Sequence, residues 1–180
     1  MQRKIEVVPY DPAWISEFET EGKRISRALG ETVASLHHVG STAIPGMYAK
    51  PIIDFFLEVY DIAELDDKNS ALVKLGYEAK GEFGIPGRRY FRKNDASGVR
   101  SHQIHAFGVG SPEGERHLAF RDYMSAHAAE ARAYGELKQS LAKRHPTDIQ
   151  AYMDGKDAFI TEHVAKAMAW RSSQNASSTK

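Results

Sequence analysis

The sequence predicts an α+β fold, and three observations carry that reading. One helical segment opens the chain. A run of strand-like segments then occupies residues 32–109. From Pro112 onward every segment has helical character. Strands in one run and helices in the next belong to α+β architectures. The 180 residues suffice for one domain with a real core and are too few for two ordinary ones.

KIEVV near the start is a short strand candidate. In PYDPAW, Asp11 can cap a helix that has Pro12 at its first position. Trp14, Ile15, Phe18, Ile25 and Leu29 recur at near-helical spacing, so the expected helix covers 12–29, with Gly30 as its stop. Strands are expected at 32–39 (TVASLHHV) and 51–59 (PIIDFFLEV). The second is apolar on both faces, as a central strand covered on both sides would be. A short helix over 61–75 ends at Gly76, and YEAKGEFGIPG reads as a strand edge and a turn-rich loop. RRYFRKND and VRSHQIHAFGV form a hairpin turning around Asn94–Gly98. Three helices follow in HLAFRDYMSAH, EARAYGELKQSLAKRH and DIQAYMDGKDAFITEHVAKAMAW, the last capped by Thr147 or Asp148. The polar, small residues 171–180 predict a disordered tail, which leaves a single domain over 1–170.

Composition narrows the function. Apolar residues make up 42% and charged residues 27%, as in soluble globular proteins. Lys plus Arg number 24 and Asp plus Glu 24, so no global field favours nucleic acid or an anionic membrane. A basic site must be local. The absence of cysteine excludes disulfides, thiolate metal sites and a Cys nucleophile, and fits a cytoplasmic protein. No run approaches the ~18 apolar residues of a membrane span, and the N-terminus has no signal-type segment.

The stretch HHVGSTAIPGMYAKPIIDFFLEV, residues 37–59, concentrates the candidate chemistry. Gly40 lets a ligand approach the main chain, and Ser41 and Thr42 offer hydroxyls and N–H groups, a reasonable phosphate seat. A plain turn is the competing reading. Asp54 lies inside an apolar run, where an ionised carboxylate is costly unless paired or metal-bound. Pairing with Lys50 is the bland alternative. His38 can orient Ser41, donate to a phosphate, or bond a loop carbonyl. Arg88, Tyr90 and Arg92 share one face of a strand, where guanidinium groups suit phosphate and a ring suits a base. A charged, solvated hairpin edge reads equally well. Tyr134 and Lys138 are four apart, as are Tyr152 and Lys156, so each pair shares a helix face. Lysines snorkelling over buried tyrosines are the alternative.

Gly40-Ser41, twelve residues and then Asp54 in an apolar strand resembles the signature of the nucleotidyltransferase superfamily. More narrowly, PYDPAW, HHVGSTAIPGMYAKPIID, RRYFRK, the H-x-x-H of SHQIH, FRDYM, YGELK and YMDGKDAFI resemble, in that order, the GrpB-like family. The likeness spans residues 4–168. It implies a nucleotidyltransferase-like mixed β-sheet flanked by helices, with a helical C-terminal third. It also implies a Gly-Ser turn that holds a triphosphate and strand carboxylates that hold a divalent metal, Mg²⁺ or Mn²⁺, for in-line transfer of a nucleoside monophosphate. Tyr134–Lys138 and Tyr152–Lys156 match the family's Y-x-x-x-K positions.

Two departures stand out. The second carboxylate of an Asp-x-Asp pair is Phe56, and Glu58, on the correct side, lies four residues further along the strand than Asp54. The family's His-x-His is here Gln103-Ile104-His105. A metal site of Asp54 and His105, with Glu58 as a further catalytic candidate, would suit Mn²⁺ or Zn²⁺ better than Mg²⁺. The departures favour, as the alternative, a domain that binds a nucleotide without catalysis. The resemblance adds another ligand class, since GrpB-like domains occur joined to a coenzyme A biosynthetic kinase: a phosphorylated small molecule such as a coenzyme A precursor.

Overall fold

The computed structural model describes residues 4–178. Helix α1 (Ala13–Leu29) begins where the Asp11 carboxylate accepts from the Ala13 amide at 2.9 Å. It ends at Gly30, whose φ of 58° turns the chain through a 3₁₀ turn into β1 (Val33–Val39). A second 3₁₀ turn, Ser41–Ala43, leads toward β2 (Ile53–Val59). Then come α2 (Ile62–Asp67), α3 (Asn69–Lys74), β3 (Tyr77–Ala79), β4 (Arg89–Asn94) and β5 (Arg100–Gly108). Helices α4 (Pro112–Ala126), α5 (Ala128–Arg144) and α6 (Ile149–Ser177) complete the chain.

The five strands form one mixed sheet in the order β1-β2-β5-β4-β3. The β2–β5 pair is parallel and the other pairs are antiparallel. Strand alternation then sorts the side chains. Ile53, Phe55 and Leu57 of β2, with Ile104 and Ala106 of β5, pack beneath Trp14, Ile25 and Leu29 of α1 and Leu65 and Leu72 of α2 and α3. Asp54 and Phe56 point to the opposite face, where Phe56 joins Val39, Phe107 and Leu118 of α4. Both faces of β2 are covered, as its unbroken apolar character requires.

Helices α4, α5 and α6 lie on the Asp54 side. Phe56 is 1% exposed, and a Cβ on Gly114 of α4 would stand 2.2 Å from its ring. A glycine there is what lets α4 press onto the sheet.

Several expectations need correction. The strand expected at KIEVV is a single bridge, Val8 to Ala49, because the segment has no further strand beside it. The helix expected over 61–75 is two helices, broken at Lys68, whose ammonium donates to the Leu29 carbonyl at 2.6 Å. The tail expected from 171 is helical through Ser177; Arg171 anchors its start by pairing with Glu115 and Asp122, each at 3.3 Å. Residues 179–180 lie outside the described range. Among the described residues, no helix is long and apolar enough to cross a membrane.

Candidate functional site

A cleft of about 820 Å³ opens between the Asp54 face of the sheet and the C-terminal helices. Its floor begins at the turn after β1. Gly40 has φ 72°, and a Cβ there would stand 2.5 Å from Asp54 Oδ2. Only glycine lets this turn lie directly against the carboxylate.

Ser41 is held from the other side. Lys138 Nζ of α5 donates to Ser41 Oγ at 2.7 Å and sits 4.4 Å above the Tyr134 ring. On α6, Lys156 Nζ stands 4.7 Å from the centre of the Tyr152 ring, and Lys50 Nζ reaches the same ring at 5.4 Å. The helical spacing of four thus places each lysine over its own tyrosine. These are not lysines snorkelling to solvent: Lys138 is 2% exposed and Lys156 8%.

Burial, reinforced by the neighbouring Lys156 and Lys50, pushes Lys138 down to about 7. Burial first, and then Lys50, lowers Lys156 to about 8. Burial also lowers Lys50, against the pull of Asp54. Three ammonium groups gathered away from water disfavour one another's charge. Arg88 and Arg100 line the same cleft, so five Lys and Arg side chains face one carboxylate, Asp54. The local field is strongly positive in a chain of no net charge.

His105 Nε2 lies 3.3 Å from Asp54 Oδ1, and its Nδ1 is buried without a hydrogen-bond partner. His117 of α4 stacks on His105 with ring centres 5.3 Å apart. Burial, and then His105, lowers His117 to about 4, so its ring is neutral near pH 7.

Among the described residues, no three His, Asp or Glu side chains gather to hold a metal. Asp54 and His105 lie within hydrogen-bond distance of each other, and Phe56 fills the position of a second carboxylate. The cleft therefore does not fit a two-metal centre, which needs carboxylates to share the ions.

A family model described as GrpB protein matches residues 4–166. The chain belongs to the GrpB family. UPF0157 protein YqkA of Bacillus subtilis is 41% identical over 174 residues, covering 97% of this chain and 50% of that protein, so the chain spans half of its relative's length. A dephospho-CoA kinase of Mycolicibacterium paratuberculosis is 27% identical over 192 residues, covering 94% of this chain and 47% of the kinase. The crystal structure of GrpB from Enterococcus faecalis superposes with a TM-score of 0.88 at 40% identity, covering 92% of this chain and 99% of the other. Cid1 in complex with its short product ApU gives a TM-score of 0.54 at 14% identity, covering 77% of this chain and 43% of Cid1. At that identity the likeness is one of fold alone, and the fold of this GrpB chain is α+β and resembles that of Cid1.

Within this GrpB chain, the expected residues Gly40, Ser41, Thr42, Lys50, Asp54, Arg88, His105, Tyr134, Lys138 and Lys156 all line the cleft. Three others lie elsewhere. Glu58 accepts from Ser35 and approaches His37 to 3.7 Å, beyond the packed ring of Phe56. His38 shares the α1 face of the sheet. It stacks on Phe18 at 4.8 Å and bonds the Thr42 hydroxyl at 3.0 Å, which donates in turn to the Ile52 carbonyl. It braces the turn and does not enter the cleft. Arg92 is drawn to the neighbouring strand, where it pairs with Glu78 at 2.5 Å.

Sequence reasoning missed His117 and Arg100. His117 is one polar residue within an ordinary helical pattern, and only the close packing of α4 brings it to His105. Arg100 follows the hairpin turn and looks like any solvated strand end, yet it lies 3.5 Å from the Tyr90 hydroxyl.

Proposed function

We propose that this cleft binds a nucleotide or another phosphorylated small molecule by its phosphates. The observation that supports this most is the Lys138–Ser41 contact at 2.7 Å, set among five cationic side chains and one carboxylate. Clustered, partly neutral lysines are unfavourable in an empty cleft, and a polyanion relieves that cost by restoring their charge. The turn at Gly40 brings main-chain atoms within reach of the same ligand. The nucleotidyltransferase-like fold favours a nucleoside triphosphate, and the likeness to a dephospho-CoA kinase favours a coenzyme A precursor.

Calorimetric titration of inorganic triphosphate, ATP, GTP, CTP and UTP into wild type and Lys138→Met tests this. Saturable binding that weakens in the variant is the expected result. No saturable binding by wild type overturns the reading.

Nucleotidyl transfer is the second reading, favoured by the Asp54–His105 contact in the cleft. His105 would orient the Asp54 carboxylate, which would serve as the base. An acceptor hydroxyl would bond to the α-phosphorus while its proton passes to Asp54. The α–β phosphoanhydride bond would break and pyrophosphate would leave. Pyrophosphate release by wild type, lost in Asp54→Asn with the fold intact, carries this reading. Binding without release, with Mg²⁺ or Mn²⁺ added, leaves a binding domain.

A further inference from the structure

The loop between β3 and β4 reaches the cleft with Phe83, Gly84, Ile85 and Arg88. It is pinned at its base by Lys80 N to the Tyr90 carbonyl at 2.9 Å and Tyr90 N to the Gly81 carbonyl at 2.8 Å. Inside the loop, the Gly87 amide donates to Glu82 Oε1 at 2.8 Å. Arg88 clamps it further: Nε donates to the Glu82 carbonyl at 3.1 Å and Nη2 to the Phe83 carbonyl at 2.7 Å. These bonds hold one residue in an unusual state. Phe83 has φ 46°, and among the described residues it is the one non-glycine in the left-handed region. Glycines at 81, 84 and 87 take up the other such positions of this loop.

Phe83 is also 55% exposed. An exposed phenylalanine alone is ordinary. A phenylalanine kept in a glycine-type conformation, clamped by a buried arginine and turned toward a cleft, contributes to something other than stability. Its ring stacks on Tyr90 at 5.1 Å with 19° between the planes, and Tyr90 in turn lies under Arg88 at 5.1 Å; the Lys80 ammonium, paired with Glu78 at 3.0 Å, stands 5.7 Å from the Phe83 ring centre and would swing aside for a base. Tyr90 is 6% exposed, so it backs the Phe83 ring rather than meeting the ligand broadly itself.

The geometry points to Phe83 as a stacking platform for a planar aromatic group, a nucleobase, on a ligand whose phosphates reach Lys138 and Ser41. This rests on the phosphate-binding reading of the cleft and narrows it to nucleotides. A stacked base needs no hydrogen-bond readout, so the platform accepts purines and pyrimidines alike, with purines tighter by their larger face.

The test compares ATP, UTP and inorganic triphosphate by calorimetry on wild type, Phe83→Gly and Phe83→Tyr, with thermal unfolding beside it. Phe83→Gly weakens ATP about five-fold or more and leaves inorganic triphosphate unchanged. Phe83→Tyr keeps wild-type nucleotide affinity. Phe83→Gly unfolds at the wild-type temperature or above, because glycine relieves the backbone strain. Triphosphate binding with ATP affinity unmoved by Phe83→Gly overturns the platform alone. So does an equal loss for ATP and triphosphate, which would mark a structural loop residue. Failure of triphosphate and nucleotides alike to bind wild type overturns the phosphate reading and the platform with it.

Discussion

Lys138 and Ser41, 97 residues apart, are joined by a 2.7 Å hydrogen bond that ties the start of the cleft to helix α5. Burying an ammonium with one hydroxyl partner and two lysine neighbours costs stability, so this contact is retained for what it can hold. Lys138→Met keeps the volume and removes the charge. It is expected to raise the unfolding temperature by a few degrees while weakening triphosphate about ten-fold or more. Thermal unfolding and calorimetry on the same sample check both halves. A variant that loses stability and keeps its affinity would make Lys138 a structural residue.

The lowered lysines set a pH dependence with a definite sign. Lys138 near 7 and Lys156 near 8 compare with 10.5 for an ordinary lysine. Below about pH 7 both the folded and the unfolded chain carry these protons, and the folded state bears the full penalty. From there to about 10.5 the unfolded chain binds protons that the folded chain lacks, so stability rises with pH across that window. A bound polyanion reverses the shift. Titrating triphosphate at pH 8 in two buffers of different ionisation enthalpy should show net proton uptake, and affinity should fall between pH 7 and 9. Proton release, or affinity that climbs with pH, contradicts this.

Much of this was legible in the sequence, for identifiable reasons. The β2 strand announced its central position because both faces are apolar, and Gly40, Ser41 and Asp54 stood out against that background. The Tyr-Lys pairs were legible through helical spacing, although the burial of the lysines was not. Alternation placed Glu58 on the right face, but not the packed ring of Phe56 lying between it and Asp54. For His38, alternation alone excludes the cleft: Val39 pairs with Asp54 and His38 with Phe55, so His38 takes the α1 face. His117 depends on how closely one helix approaches the sheet, which Gly114 allows. Such tertiary contacts leave no local pattern to read.

Phe56 decides whether a second carboxylate can be restored. Its ring fits against Gly114 and stacks with His37 and His117 at 5.7 and 6.3 Å. Phe56→Asp would leave a cavity and bury a charge at the same place. We expect it to destabilise by about 3–5 kcal/mol, against about 1 kcal/mol for Phe56→Leu. Chemical denaturation measures both. If Phe56→Asp were stable and bound Mn²⁺, the cleft would be a two-metal site lacking one ligand, contrary to the packing observed.

Asp54 separates two ways of holding a phosphate. If a metal ion bridges ligand and protein, Asp54→Asn removes its one carboxylate in the cleft and binding collapses. If the lysines and arginines hold the phosphates directly, Asp54 is a repulsive charge toward them. Asp54→Asn should then bind triphosphate equally well or about two- to ten-fold tighter, as expected from one charge at an effective dielectric of about 20. The donor set favours the second outcome, since five cations surround one carboxylate already in contact with His105. Binding should therefore persist in a chelator and tighten as salt is lowered. Gly40→Ala gives the companion result: its Cβ would strike Asp54 Oδ2 and strain a φ of 72°, so the turn should shift and triphosphate affinity should drop even though no charge has changed. If affinity instead vanished in Asp54→Asn and in chelator, and survived Gly40→Ala, the phosphates would be held through a metal, and the turn would only connect two strands.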